Sequence, residues 1–555
     1  MSTETRSCQH CHQAFTIESE DFAFYEKVKV PAPTWCPDCR NMRRFSWRNE
    51  RFLYARECDL CHKNIISTYH KDSPYTIYCP TCWWADSWVA EDFAQDYDEH
   101  KNFFEQFDAL LHKVPHINFM NDNKSENCEY CNEIEALKDS YLAICAFYGE
   151  RLLYTYWSLN CQDSVDCSYF VESSLCYDCQ DIFKCYNCRY VYNCDHLIDC
   201  FFCYNCYNCE NCFMCFNLKN ASYCIFNKHY SKEEYQKKIK EYKLSSWQGI
   251  QKLKVIFWQE KLKHPHRFVN IKNSENCVGD YIKNSKNVHV GFDILGQENG
   301  RYIYDGGMGK DAMDSSQAGL ECELMYEVQA GGFLYNTKCS NWMLHDIDCT
   351  YCDSCHNSED LFGCCGIRKK KYCILNKQYT KEKYEKLKQK IITKMQADGE
   401  YGVFFPMHLS PFAYNESVAN QWYPKTKEEI LVENLSYTDD LPGTTNKETI
   451  DWSQVSDDVN DVADKIQKEV FPCLECGCNY KIMETEWQFY KKYNIPLPRF
   501  CPNCRFQRRF QRRNPRKLWK RKCMNTGCTT EFETSYAPER PETVYCEECY
   551  RKEVY

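Results

Sequence analysis

Sixteen of the chain's 43 cysteines fall into four quartets near its two ends. Cys8, Cys11, Cys36 and Cys39 form the first, and Cys58, Cys61, Cys79 and Cys82 the second. Cys473, Cys476, Cys501 and Cys504 form the third, and Cys523, Cys528, Cys546 and Cys549 the fourth. A CxxC turn offers two thiolates at the separation a tetrahedral ion needs, and two such turns close a site. The spacing therefore predicts four zinc ions. Four thiolates leave no open position for water or substrate, so the ions would be structural. The fourth quartet has a wider first turn, Cys523-x4-Cys528, and Cys478 is left over beside the third. His10, His12 and His62 flank the turns and read as surface residues, because each quartet is already complete.

The residues after the knuckles carry the chemistry most suited to a partner. Arg43, Arg44 and Arg48 follow Cys39, with Phe45 and Trp47 among them. Arg508, Arg509, Arg512 and Arg513 follow Cys504, with Phe510 among them and Trp519 just beyond. Guanidinium groups bind phosphate in bidentate fashion, and aromatic rings stack on bases. These eight residues, Trp519 included, are the expected contacts to nucleic acid, whether RNA or DNA. The competing reading is pairing with acidic protein surface. The chain offers such surface itself in 398–472, where 15 acidic residues face 5 basic ones.

The elements that must position these groups are duplicated. The first and third quartets are 465 residues apart, and the match runs without a gap from Cys8 to Asn49 against Cys473 to Asn514. A second duplication lies inside the first, at an offset of 149: Ser125-Glu-Asn-Cys128 matches Ser274-Glu-Asn-Cys277, and Tyr223-Cys-Ile-Phe-Asn-Lys matches Tyr372-Cys-Ile-Leu-Asn-Lys. The order is module, block, block, module.

Within the first block, cysteines from Cys161 to Cys224 keep spacings of 3, 6 or 9. A strand repeats every two residues and a helix every 3.6, so neither fits. A chain wound in short sides, with one small residue inward per side, does fit, and a β-solenoid is expected. Cysteine suits a narrow axis because it is small and apolar, and the intervening Asn and Asp suit corners. The competing use of these thiols is a soft-metal store. In the second block Cys194 and Cys212 are replaced by Met343 and Leu361, which an apolar axis accepts and a ligand set does not. Ser231-x-x-Glu234 predicts a capped helix over Lys232 to Tyr242, and Thr380 predicts one from Lys381 to about Met395. Such helices would close solenoid ends that otherwise expose strand edges.

The expected fold is mainly β with short helices: terminal zinc-ribbon-like modules flanking two duplicated β-solenoid-like blocks. The expected boundaries are 1–90 for the N-terminal double zinc module, 91–124 for a helical linker, 125–265 and 266–397 for the blocks with their helices, 398–470 for an acidic irregular linker, and 471–555 for the C-terminal double zinc module.

Composition narrows the function. No apolar run approaches the roughly 18 residues of a membrane span, and the first residues form no apolar signal core. A cytoplasmic setting with reduced thiols is expected. The net charge of −10 hides a cationic stretch, 499–522, with 11 basic and no acidic residues. No catalytic motif is present, neither GxSxG nor HExxH nor a dinucleotide fingerprint, and the Cys-Pro-x-Cys pairs lack the His-x-Glu of deaminases. Gly306-Gly-Met-Gly-Lys-Asp311 matches one calcium nonapeptide, but such sites need stacked copies; a solenoid turn is the simpler reading.

Trp35-Cys-Pro-Asp-Cys-Arg-Asn-Met-Arg-Arg44, Tyr372-Cys-Ile-Leu-Asn-Lys-Gln-Tyr379 and Leu409-Ser-Pro-Phe-Ala-Tyr-Asn-Glu416 resemble segments of cysteine-rich zinc-binding proteins of candidate-phyla bacteria, a group without a characterised activity. Some members carry a CaiB/BaiF label, whose chemistry nothing in this sequence supports. The resemblance implies zinc binding in a bacterial cytoplasm and no more. The sequence reading is thus a non-enzymatic nucleic-acid-binding protein, with a protein-interaction scaffold as the alternative and a thiolate metal store as the weaker one.

Overall fold

In the computed structural model, which describes residues 3–122 and 124–554, the duplicated middle of the chain is a β-solenoid over 126–374. Successive turns pair in parallel with a register of twelve residues, as in Tyr156↔Ser168 and Ser168↔Gln180. Twelve residues make four sides of three. The frame of three seen in the cysteines is therefore one side of the coil.

The corner of each side is a residue with positive φ. Asn160, Asp166, Asp178, Asn187, Asn193 and Asp199 all have φ near 50°, and each stands immediately before an inward cysteine. The left-handed region costs most residues about 1–2 kcal/mol, and Asn and Asp enter it most readily. Their side chains then bond from turn to turn. Asn193 donates to Asn205 at 3.3 Å and Asn205 to Asn217 at 2.8 Å. In the second block Asn276, Asn287 and Asn299 form a similar ladder that ends on Asp311. That aspartate also pairs with Lys27 at 2.7 Å, so the glycine-rich calcium-like stretch is a solenoid turn.

Cysteines line the axis. Cys161, Cys167, Cys176, Cys179, Cys188, Cys194, Cys200, Cys203 and Cys212 are fully buried. Their thiols act as weak donors to carbonyls of their own and the next turn; Cys200 reaches Ile198 O at 3.3 Å and Cys209 O at 3.6 Å. Burial pushes the Cys161 thiol up to about 12, which keeps it neutral.

The two blocks lie side by side and run in opposite directions. Tyr169 bonds Asp305, Lys272 pairs with Asp195 at 3.1 Å, and Gln317 reaches Cys145, so the contacts climb one block as they descend the other. Each block ends under a helix. Lys232–Ile239 carries the Ser231/Glu234 capping box and covers the last turn with Tyr235. Lys381–Asp398 is capped by Thr380, buries Tyr384, Ile391 and Met395, and stops at Gly399, whose φ of 76° suits a left-handed helix end. A further helix, Trp247–Lys261, was not expected; its apolar residues Ile250, Leu253 and Phe257 pack on the first block. The stretch 398–470 is more ordered than the irregular linker expected: it forms short helices, and Phe404, Phe405, Tyr414 and Ile430 join the main core. Among the described residues no helix is long and apolar enough to cross a membrane.

Axial thiols buried this way should resist alkylation. In the native protein, Cys176, Cys194, Cys203 and Cys212 are expected to remain unmodified by iodoacetamide over hours and to react only after denaturation. Peptide mass spectrometry reads this directly, and rapid native labelling would contradict the buried axis.

Candidate metal centres and the arginine joints

Each expected quartet comes together. The four sulfurs of Cys8, Cys11, Cys36 and Cys39 lie within 4.8 Å of one another, as do those of the other three sets. Backbone amides support the thiolates: Cys36 N donates to Cys8 Sγ at 3.2 Å, and Cys501 N to Cys473 Sγ at 3.2 Å. This donor set, four sulfurs with amide support, fits a thiophilic metal ion. His10 stacks on Trp35 instead of entering the set, and His12 and His62 sit at left-handed turn positions.

The second knuckle of each pair opens a helix. Cys36 is the N-cap of Pro37–Ser46, and Cys501 is the N-cap of Pro502–Phe510; in both, proline takes the first position, where its missing N–H costs nothing. Arginines four apart then share one face: Arg40 and Arg44 in one helix, Arg505 and Arg509 in the other. The sequence reading gave that face to a partner. The structure turns it inward, onto the solenoid.

Arg43 Nη2 lies 2.7 Å from Glu327 Oε1, and Arg44 Nη1 lies 2.7 Å from Glu327 Oε2. Arg40 pairs with Asp314 at 2.9 Å, and Arg48 with Glu50 and Glu133. At the other end Arg509 pairs with Asp166 at 2.8 Å, and Arg505 bridges Asp166 and Glu486. Arg512 pairs with Asp178 at 2.8 Å. Arg513 bridges Asp181 and Asp293, and Arg516 bridges Asp293 and Asp305. Arg43, Arg44, Arg48, Arg509 and Arg513 are buried, and Arg512 is half-buried. Of the eight residues expected to contact nucleic acid, only Arg508 is exposed, paired with Glu475 at 2.9 Å; Trp519 is half-buried. Most of the other arginine partners are solenoid carboxylates; Glu50 and Glu486 come from the modules themselves, and the acidic 398–472 segment supplies Asp457, 3.6 Å from Arg499. That segment reaches the stripe mainly by packing: Trp422 lies 3.7 Å under the Arg516 guanidinium.

The joints are themselves duplicated and crossed. The N-terminal module docks on the second block and the C-terminal module on the first. Asp178 and Glu327 occupy equivalent positions, 149 residues apart. Tyr154 donates to Glu486 at 2.7 Å, and Tyr302 donates to Asp21 at 3.1 Å, the same contact in each half. Arg48, Arg513 and Arg516 then reach across the seam between blocks. Burial and charge set the carboxylates apart. Burial pushes Asp314 up to about 6 and Glu50 up to about 7 despite their arginines. At Asp178 burial acts upward too, but Arg512 and Lys254 outweigh it and hold the group well below the usual range.

Comparison with known family models, with curated proteins and with solved structures finds no match. The reading of the site therefore rests on its own geometry.

Removing one partner of a buried ion pair leaves a bare charge and costs about 3–5 kcal/mol. Glu327→Gln strands both Arg43 and Arg44, so a loss at or above that range is expected in chemical denaturation, whereas Glu475→Gln, facing exposed Arg508, should cost under about 1 kcal/mol. Equal effects would contradict the joint. Replacing Cys11 and Cys36 together by serine is expected to remove one metal ion per chain by elemental analysis and to loosen the same joint, read as faster amide exchange in 37–48.

Proposed function

We propose that the protein is a non-enzymatic, zinc-stapled cytoplasmic scaffold that binds protein partners along its solenoid faces. The carrying observation is a duplicated apolar strip. Tyr186 and Ile198 stack on successive turns and are 49% and 45% exposed; Tyr335 and Ile347, 149 residues later, stack the same way and are 45% and 43% exposed. Each strip is followed one turn on by a glutamate, Glu210 and Glu359. Exposed aromatic and aliphatic side chains repeated at equivalent positions suit a docking surface, since aromatics dominate interface energetics. The inward arginines favour this reading over a phosphate-gripping one. All-cysteine quartets favour zinc and a structural role for it.

Nucleic-acid binding is kept as a second reading because of one place. Arg508, Arg509 and Arg512 line a cleft of about 520 Å³ together with Lys254, Trp247, Trp258 and Phe500. Cations interleaved with rings are the pattern that holds phosphate and stacks bases, although Asp166 and Asp178 line the same cleft and already pair with Arg509, Arg512 and Lys254.

The two readings separate experimentally. The scaffold reading expects weak RNA and DNA binding in fluorescence anisotropy, and cross-linked protein partners that survive nuclease but are lost in the Tyr186→Ser/Ile198→Ser/Tyr335→Ser/Ile347→Ser variant. Tight nucleic-acid binding that falls steeply with salt, persists in that variant and is lost in Arg508→Ala/Lys254→Ala would overturn it in favour of the cleft.

A further inference from the structure

A cluster of ligand-type side chains stands outside the four quartets. His116, Asp353 and Cys365 are buried, and their ligand atoms lie within 4.8 Å of one another. His116 comes from the short strand His116–Ile117, which pairs with Ile77 and Tyr78, just before Cys79 of the second quartet. Asp353 and Cys365 are bridge partners on adjacent solenoid turns. Both stand one residue beyond inward cysteines, Cys352 and Cys364, so they face off the axis, toward the N-terminal segment. Cys364 donates its thiol to Phe362 O and Cys373 O; the Cys365 thiol makes no hydrogen bond among the described residues.

The surroundings are arranged as a metal's second shell usually is. His116 Nε2 lies 2.9 Å from Leu111 O. A carbonyl only accepts, so the proton sits on Nε2 and Nδ1 keeps a free lone pair. Asn341 Nδ2 donates to Asp353 Oδ1 at 2.6 Å, and Ser354 Oγ to Asp353 Oδ2 at 3.1 Å. Asn341 is buried and its Oδ1 has no partner. It borders, with His116 and Asp353, a cavity of about 20 Å³, which is room for one water.

The chain supplies its own control. The other half carries the same Pro-His step: Pro265-His266 against Pro115-His116, with His266 paired to Val544 as His116 is to Ile77. Shifting by 149, the positions of Asp353 and Cys365 become Tyr204 and Phe216. Tyr204 packs its ring 5.6 Å from His266. The histidine therefore belongs to the fold, whereas the aspartate and the cysteine belong to this half alone. Aromatic rings satisfy the same place, so packing does not require a carboxylate and a thiol there.

We propose that His116, Asp353 and Cys365 form a further metal site, taking a divalent transition ion of the zinc or cobalt kind through one nitrogen, one oxygen and one sulfur, with a water held toward Asn341 in the fourth position. Such mixed ligands suit borderline ions, and bond lengths of about 2.0–2.3 Å ask only a small inward movement of the three side chains. The ion would clamp the N-terminal segment to the second block at a place the quartets do not reach.

The test is elemental analysis of the full-length protein expressed in zinc-supplemented medium, beside Cys365→Ser and Asp353→Asn, with circular dichroism to confirm that each variant is folded. The wild type is expected to hold one ion per chain more than either variant. The Cys11→Ser/Cys36→Ser protein should lose a different ion, so that the combined variant loses two. Cobalt reconstitution gives a second reading, in which the difference spectrum between wild type and Asp353→Asn shows one tetrahedral centre. Equal metal content in wild type and folded variants, with no cobalt difference, would overturn the proposal; should a variant unfold, the cobalt spectrum of the other decides.

Discussion

The architecture depends on arginine–carboxylate pairs taken out of water. A solenoid block presents a face of short sides with little relief, and a small metal-organised hairpin has little core of its own. Apolar packing alone would let one slide on the other. A guanidinium fork meeting a fixed carboxylate has one good geometry, and burial makes every other geometry expensive. Glu327 receives two arginines at 2.7 Å each, which sets both position and rotation of the N-terminal module on the second block. Asp293 receives Arg513 and Arg516, which ties the C-terminal module to the second block as well as to the first. Such pairs add little net stability relative to well-packed apolar groups, but they specify one arrangement among many.

The metal quartets matter here through what they orient. Closing a quartet fixes Cys36 and Cys501 at helix N-termini, and the helical repeat then sends Arg40 and Arg44, or Arg505 and Arg509, to one face. Without the closed knuckle those side chains would sample many directions, and each would carry its desolvation cost with no assured partner. Metal closure, helix start and ion pair are thus one chain of dependence, from covalent spacing to tertiary docking.

Much of this was legible in the sequence. The quartets declared themselves because ligand spacing is local, and the solenoid because a period of three is neither strand nor helix. The ends of the blocks were marked by Ser231 and Thr380, whose caps are local too. The destination of the arginines was not legible. Arg44 and Glu327 are far apart in sequence, and a run of guanidinium and aromatic groups looks the same whether it awaits phosphate or a carboxylate of the same chain. A signal did exist: Asp178 and Glu327 keep acidic character at equivalent positions of the two blocks. The helix Trp247–Lys261 escaped because its apolar positions are interrupted by exposed Val255 and Ile256, which blur the helical stripe. His116, Asp353 and Cys365 escaped because they share no motif and meet only when the N-terminal segment lies over the solenoid.

The crossed docking bears on what the duplication permits. In a plain tandem each module could fold on its neighbour in sequence and leave two separable halves. Here the first module rests on the second block and the last module on the first, while Arg48, Arg513 and Arg516 span the seam between blocks. Neither half can leave without baring charges that belong to the other. The blocks run in opposite directions, so under the proposed scaffold function a partner that recognised one Tyr–Ile strip would meet the second in inverted sense. Rigid spacing of two equivalent patches raises the effective concentration of the second contact once the first is made. The buried arginines would then serve recognition without touching a partner, by fixing the distance between the surfaces that do.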